Sequence, residues 1–531
     1  MTKRRERSEI FQKVDSWLEM ILKRRIVDWF LYFLIALSVL HIFLIAINHN
    51  PRLDFDESNT MQIAEQTPRN INLILSHEQN FPLYYQILHR LFFLSPNHEA
   101  VAIIFNFLIW LFSIFFFYKL LKIYFAGQKQ CLFFTLIYIL TSNVAYYAFY
   151  IRVYGLYNLL AIISFYSFLK YFETDRFFWL MLNFSSLAMI VLIIPSGIIA
   201  VLLFLILGVF LLKGEKGQFL FYFFLLVLTI FLAGSQFLSK ADLVRTYLGT
   251  GGDYIRAHRT PLYQKPGLFL FFPTKWEFEK IVSAQFYSFL FCLFCVFLWT
   301  LFLAKKPSLE KKYLVISLPS LLFFAIAPLM RGLIGRHFIF IIAPFLTLLF
   351  CGCTFLERKI RKYVLLSMLF FFFLGNIYFY KIVSLRKFYF DDFCATLRGL
   401  DPGVFITEFY NYNALQYCPS APRMRVVFLD NAEVFDTGPL GKLRVLLVQA
   451  KKSGNQLNYE LVLGRNVLTN TKAEKVFNSA ISEKNFVYFF SWQLQPVQDQ
   501  IEKLLTDCFV FKEKVSSSVI VYERSPGCQT I

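Results

Sequence analysis

Charge is scarce in this chain: Asp, Glu, Lys and Arg make up 17% of 531 residues, against 57% hydrophobic and 19% aromatic residues. Soluble domains carry about a quarter charged residues, and disordered chains far fewer apolar ones. A single soluble domain, a disordered chain and a disulfide-rich secreted module are therefore excluded. Also missing are a Walker loop, a dinucleotide fingerprint, a Ser/His/Asp nucleophile context and any repeat of solenoid period. What is present is phenylalanine, at 67 positions, and apolar runs of 17 to 21 residues that recur from Val27 to Tyr380. Each run is long enough to cross ~30 Å of hydrocarbon at ~1.5 Å per residue.

Acidic residues are the scarcer charge, leaving a net charge of +19. In a soluble protein that excess would suggest a nucleic-acid partner, but here Lys and Arg gather in short blocks between apolar spans, so no nucleic acid is implied and the pattern reads as membrane topology. The predicted spans are Val27 to Ile47, Ala100 to Leu120, Cys131 to Phe149, Val153 to Tyr171, Phe177 to Ile194, Ser196 to Leu212, Phe219 to Leu238, Ala284 to Ala304, Tyr313 to Met330, Phe338 to Leu356 and Val364 to Tyr380, eleven in all. Phe177 to Leu212 carries no charge. As one straight helix it would run ~54 Å, which exceeds the bilayer and requires a reversal at Pro195, Ser196 and Gly197. With that reversal, the blocks at Lys119 and Lys122, Lys170 and Arg176, Lys213 and Lys216, Lys305 to Lys312 and Arg358 to Lys362 all share the N-terminal side. The positive-inside rule makes that side cytoplasmic and puts the C-terminus outside. The basic lead-in before Val27 is long for a signal peptide and no small-residue cleavage site follows the span, so the first helix is read as retained.

The chain is thus a mainly α polytopic membrane protein. It comprises a cytoplasmic basic N-terminus over 1–26, a membrane domain over 27–380 with outer loops at 48–99 and 239–283, and an extracytoplasmic domain over 381–531. In that last region, strand-like runs at Val404 to Glu408, Arg425 to Leu429, Arg444 to Val448, Phe486 to Phe490 and Ser518 to Tyr522 are interspersed with helix-like stretches at Phe390 to Leu400, Lys472 to Lys484 and Val497 to Leu505. Such a mixture predicts a small α/β domain. Of nine cysteines, Cys394, Cys418, Cys508 and Cys528 fall there, an even number that permits disulfides without fixing their pairing. The pair Cys292 and Cys295 sits mid-span without a second pair of ligands, so it is read as apolar packing and not as zinc binding.

Directly after the first span come Asp54, Asp56 and Glu57, three carboxylates within four residues at the edge of hydrocarbon. Acids are costly there unless they are needed. The stretch Asn80-Phe81-Pro82-Leu83-Tyr84-Tyr85 opens an amphipathic segment suited to the interface. Arg152 and Tyr154 stand at an outer turn, and Arg336 and His337 at the outer entry to a late span, all on the side that topology denies to cations. An anionic group held near the outer leaflet is the economical partner for these arginines.

The order of an acidic pair in the first outer loop, then Pro-Leu-Tyr-Tyr, then Arg-x-Tyr, then Arg-His-Phe resembles bacterial polytopic glycosyltransferases of the GT-C type. It is most similar to the protein-mannosyltransferase-like group, glycosyltransferase family 39 and its relatives. The resemblance is best over Leu53 to Tyr171 and returns around Gly335 to Pro344. It implies an enzyme of the bacterial cytoplasmic membrane that moves a sugar from a polyprenyl-phosphate carrier to a glycan, lipid or protein acceptor on the outer face. Asp56 takes the position of the family's catalytic acid, with Glu57 and Asp54 beside it. Arg152 and Arg336 match its basic positions, with Tyr154, His337, Tyr84, Tyr85 and Asn80 as further candidates for substrate binding.

The chain departs from the family in having Asn80-Phe81 where members usually carry His-Pro, and Tyr150 where an acid commonly precedes Arg-x-Tyr. No cofactor is assigned and no metal site is placed. A divalent metal is left open, since His77 and Glu78 lie nearby but two residues make no site. His41, His89 and His98 are read as packing or interfacial residues. His258, between Arg256 and Arg259, sits in a loop suited to covering the acceptor or to binding anionic lipid headgroups, the second reading being favoured. The rival functions are a transporter or flippase of lipid-linked intermediates, which would need polar residues at mid-membrane depth, and a scaffold with a degenerate site.

Overall fold

A computed structural model describes residues 26–49, 55–75, 80–194, 197–211, 216–238, 311–326, 339–370, 372–377, 404–407, 425–428, 486–490, 509–514 and 519–525. The chain divides into two compact units, one of 1–48, 100–241 and 251–381, the other of 49–99, 242–250 and 382–531. In chain order the described helices are α1 (Ile26–His49), α2 (Phe55–Ala64), α3 (Pro68–Leu75), α4 (Leu83–Leu91), α5 (His98–Tyr124), α6 (Gln128–Leu140), α7 (Ser142–Tyr146), α8 (Tyr154–Thr174), α9 (Phe177–Val191), α10 (Gly197–Leu211), α11 (Lys216–Leu238), α12 (Lys311–Ile326) and α13 (Ile342–Thr354). A further apolar helix, α14, covers Arg358–Ile377.

Among the described residues three helices are long and apolar enough to cross a membrane: Val27–Ala46 within α1, α5 and α14. Shorter apolar helices stand at most of the other predicted spans, while the span at Ala284 to Ala304 lies outside the described residues. The outward faces carry large apolar groups, among them Trp29, Phe33, Phe112, Phe210 and Phe231. Water would not tolerate that much exposed hydrocarbon, but lipid does.

In the first unit α8 is apolar nearly all round and accordingly buried along almost its whole length. Its Phe165 and Phe168 meet Phe204 of α10 with ring centroids 4.9 and 5.4 Å apart, and Tyr166 meets Trp179 of α9 edge to face at 5.7 Å. Phe134 of α6 stacks on Phe350 of α13 at 4.0 Å, a contact worth roughly 0.5–1.5 kcal/mol beyond its area. Val27 and Leu31 of α1 cluster with Leu132 and Leu136 of α6.

Pro195 and Ser196, where the reversal is expected, lie outside the described residues, but their flanks are close together. A Cβ added to Gly197 would lie 2.5 Å from Ile190 Cγ2, whereas seven residues of straight helix separate such positions by ~10 Å. α9 and α10 are therefore not one straight helix, and only glycine fits against the end of α9. The third predicted span is interrupted instead. α6 stops at Leu140, Thr141 is extended at φ −67, ψ 111, and α7 follows. Thr141 Oγ1 donates to the Ile137 carbonyl at 3.0 Å, and Thr141-Ser142-Asn143 is a run of side chains that compete with helical backbone bonds. At one end of the unit the Tyr124 hydroxyl donates to the Lys312 carbonyl at 2.6 Å, and Lys311 Nζ lies 5.3 Å from the Phe172 ring centroid. The C-terminal ends of α5 and α8 thus meet the start of α12, gathering basic blocks far apart in sequence.

Four asparagines inside the helices act as latches, one of them Asn158 of α8, whose Nδ2 donates to the Tyr138 hydroxyl of α6 at 2.7 Å. Asn183 Nδ2 donates to the Ser164 carbonyl at 2.7 Å, and its Oδ1 accepts from the Tyr222 hydroxyl, so α8, α9 and α11 are joined at one residue. Asn106 Nδ2 donates to the Tyr150 carbonyl at 3.0 Å, and Asn376 Nδ2 to the Leu140 carbonyl at 3.4 Å. Such bonds between membrane helices are worth about 0.6 kcal/mol on average and up to about 1.7. Asn183→Leu breaks two at once, so an apparent melting temperature lower by several degrees is expected from a thermal-shift assay in detergent, with the helical content kept.

In the second unit five strands, β1 (Val404–Thr407), β2 (Arg425–Phe428), β3 (Phe486–Phe490), β4 (Phe509–Lys514) and β5 (Val519–Arg524), form one sheet of order β2-β1-β3-β5-β4. β1 pairs in parallel with β2 (Val404 opposite Arg425) and with β3 (Val404 opposite Val487). β5 runs antiparallel to β3 and β4. Parallel neighbours need crossover connections, and the three helix-like stretches of this region, with the predicted strand Arg444 to Val448, lie outside the described residues. β4 was not expected from its sequence. Its alternation is lost where Phe509-Val510-Phe511 passes into Lys512-Glu513-Lys514, and the register shifts between Phe511 and Glu513 supply the reason. Lys512 and Glu523 close the pair with a 3.2 Å ion pair.

Candidate functional site

The acids of the first loop belong to the second unit. Phe55 to Ala64 fold as α2, placing Asp56 and Glu57 in its first turn, where the helix dipole favours negative charge. Glu57 and Thr60, three residues apart and hence neighbours on the helix surface, are both fully buried. Asp54 lies outside the described residues. α3 begins at Pro68 behind Thr67, whose Oγ1 accepts the Asn70 amide at 3.3 Å, a capping threonine followed by proline at the first helical position. α4 begins behind Pro82.

The aromatic residues of α4 face inward. Tyr84 and Tyr85 are fully buried and meet edge to face at 5.9 Å, and Asn80 Nδ2 donates to the Tyr85 hydroxyl at 3.0 Å. Asn80, Tyr84 and Tyr85 are therefore brought together, and the helix that holds them packs on α2. Two histidines tie down the far end of α2. His89 Nδ1 donates to the Ala64 carbonyl at 3.0 Å, a bond that requires the proton on that nitrogen, and His98 Nδ1 lies 3.2 Å from Glu65 Oε1. Gln86 Nε2 donates to Asn72 Oδ1 at 2.8 Å, joining α3 to α4. The packing role expected of His89 and His98 is thus realised as a clamp on the acid-bearing helix.

The arginine turn belongs to the first unit. Arg152 is 7% exposed and immediately precedes the turn into α8, the most enclosed helix. Its amide donates to the Tyr150 carbonyl at 2.8 Å, and that carbonyl also accepts from Asn106 of α5. A Cβ on Gly155 would stand 3.1 Å from the Tyr147 carbonyl, so the glycine allows the first turn of α8 to close on the preceding loop. Tyr146 stacks on Tyr150 at 4.3 Å, and Tyr147 meets Tyr154 at 5.4 Å. Tyr157, one turn into α8, lies 5.7 Å from Phe340 in the helical turn that leads into α13. Arg336 and His337, just upstream of that turn in sequence, lie outside the described residues.

A guanidinium at a helix start suits an anion. The first turn of α8 presents backbone N–H groups at its positive end, and arginine offers a planar fork to two oxygens at once. The tyrosines around it add hydroxyls and apolar faces. Of this surround, the sequence singles out Tyr150 and Tyr154 but not Tyr146, Tyr147, Tyr157 or Gly155. Five tyrosines between positions 146 and 157 were the signal available. Among the described residues no group of three His, Cys, Asp or Glu gathers to hold a metal ion, and His77 and Glu78 fall outside them.

No family model and no curated protein matches the chain. Solved structures do. ArnT from Cupriavidus metallidurans bound to undecaprenyl phosphate aligns over 94% of this chain and 98% of its own, with 11% identity and a TM-score of 0.55. The same protein in its apo state aligns over 92% and 97%, again at 11% identity, with a TM-score of 0.53. At such identity the likeness is one of fold. This chain shares the fold of that ArnT structure over nearly its whole length.

Proposed function

We propose that this chain is an integral-membrane glycosyltransferase that moves a sugar from a polyprenyl-phosphate-linked donor to a glycan, lipid or protein acceptor on the outer face of the membrane. The observation that carries this reading is the end-to-end likeness to a structure that holds undecaprenyl phosphate, with 94% of this chain aligned. Asp56 is the base. An acceptor hydroxyl must lose a proton as it attacks the anomeric carbon, while the departing phosphate gains charge that a cation stabilises. Arg152 and Arg336 supply that charge, and Asn80, Tyr84, Tyr85, Tyr154 and His337 are assigned to substrate binding. Glu57 and Asp54 set the local field. The lipid carries both sugar and leaving group, so no sugar-nucleotide site is required.

A transporter is less well supported. Asn106, Asn158, Asn183 and Asn376, polar residues within the predicted spans, bond to neighbouring helices or turns and hold the bundle together. The reading places the protein in the bacterial cytoplasmic membrane with its N-terminus cytoplasmic and residues 381–531 outside. A membrane-impermeant maleimide should accordingly label Ser453→Cys in intact cells and leave Lys216→Cys unlabelled until the membrane is opened; protection of residue 453 would contradict this orientation. Function itself is tested by the glycan profile of cells lacking the chain. One surface glycan, lipid or protein should lose a sugar that a plasmid copy restores. An unchanged profile under conditions that express the protein would count against the reading.

A further inference from the structure

The turn between α4 and α5 shows two apolar side chains that the packing leaves outside. Phe92 to Leu94 form a 3-10 turn in which Phe92 is buried. Phe93 and Leu94 are 80% and 75% exposed, more than any other large hydrophobic residue described. The turn is not loose. Phe92 stacks on the His98 ring at 4.5 Å and 10°, and the His89 ring meets Phe93 edge to face at 5.3 Å. The same two histidines clamp the end of α2 through the Ala64 carbonyl and Glu65. The two exposed groups are therefore presented by a fixed scaffold.

We infer that Phe93 and Leu94 form a wedge that enters the hydrocarbon of the leaflet at the N-terminal end of α5. Continuity with a membrane-crossing helix carries the assignment to lipid. α5 begins four residues after Leu94, and four residues of chain reach at most about 14 Å, which ties the wedge to the start of α5. α5 itself shows Ile104, Leu108 and Phe112 on its exposed surface. Arg90, exposed at the end of α4, and the half-buried His98 frame the apolar pair, the pattern of a segment seated among headgroups with its apolar tip below them. Through His89 and His98 the depth of the wedge becomes the depth of α2, the helix that bears Asp56 and Glu57. The inference concerns lipid contact and stands whether or not the chain transfers sugar.

The test is site-specific photocrosslinking of the full chain in vesicles of phosphatidylethanolamine and phosphatidylglycerol. Benzoylphenylalanine replaces Phe93, Leu108 as a position within lipid, or Asn72, exposed on α3, and the products are read by mass spectrometry. Lipid-mass adducts are expected at 93 and 108, at least tenfold above those at 72. Lipid adducts at 108 but none at 93 would overturn the wedge, as would a protein adduct at 93, which would mark a partner-binding surface. Absence at both positions would overturn it too, because α5 would then not lie in lipid.

Discussion

Asp56→Asn is expected to lower turnover about 10²–10⁴-fold while leaving donor binding largely intact. The substitution is nearly isosteric and keeps hydrogen bonding, but an amide cannot take the acceptor's proton, and losing general-base help costs a factor of that size. Asp56 sits in the first turn of α2. Asp54→Asn is the matched control, since it removes the same charge from the same loop. A drop confined to Asp56→Asn assigns the base. A collapse confined to Asp54→Asn moves it two residues upstream, and equal, modest losses make the field of the loop the cause. The size-exclusion profile separates these outcomes from misfolding.

Arg152→Ala is the second substitution with a large expected effect. Removing one donor from a charge-stabilising site typically lowers the rate about 10²–10³-fold, and here donor affinity should fall as well, because the guanidinium would hold the phosphate in both ground and transition states. Arg152→Lys keeps charge but loses the planar fork, so its loss should be smaller. Arg336→Ala should behave as Arg152→Ala does. Donor affinity equal to that of the unmodified protein in both Ala variants would remove these residues from the site. Arg152 is 7% exposed, so each variant needs its thermal stability measured alongside.

Membrane helices were legible because hydrocarbon imposes length and apolarity together. Ten of the eleven predicted spans overlap described helices, Ala284 to Ala304 lying outside the described residues, and the break near Pro195 was readable as a length too great for one bilayer. The interruption at Thr141 was not, since the run from Cys131 to Phe149 is apolar enough to pass as one span. What stops the helix is a local competition for backbone bonds by Thr141 and its neighbours, too small a signal against that background. In the sheet, β3 reads as an unbroken apolar run and was found, whereas the irregular register of β4 hid it.

The candidate site divides in the same way. Acids and arginines stood out because the membrane makes them conspicuous. The clamp of His89 and His98 on α2 pairs positions 25 and 33 residues apart, and a single sequence carries no record of such pairings. The arginine turn was visible as one cation on the side that the predicted topology denies to cations, but its support by Asn106, 44 residues from Tyr150, was not. Gly155 needed the fold before its closeness to Tyr147 had meaning.

The most direct measurement follows the fate of the lipid itself. Purified protein in sealed vesicles is given polyprenyl phosphate carrying a radiolabelled sugar, with an extract of envelope acceptors. Thin-layer chromatography then resolves intact donor, free polyprenyl phosphate and labelled acceptor, while a membrane-impermeant reagent reports which leaflet holds the donor. Label is expected to leave the lipid for an acceptor, with polyprenyl phosphate released in equal amount, and Asp56→Asn should abolish both. Donor that stays chemically intact, whether in place or moved across the bilayer, would contradict glycosyl transfer.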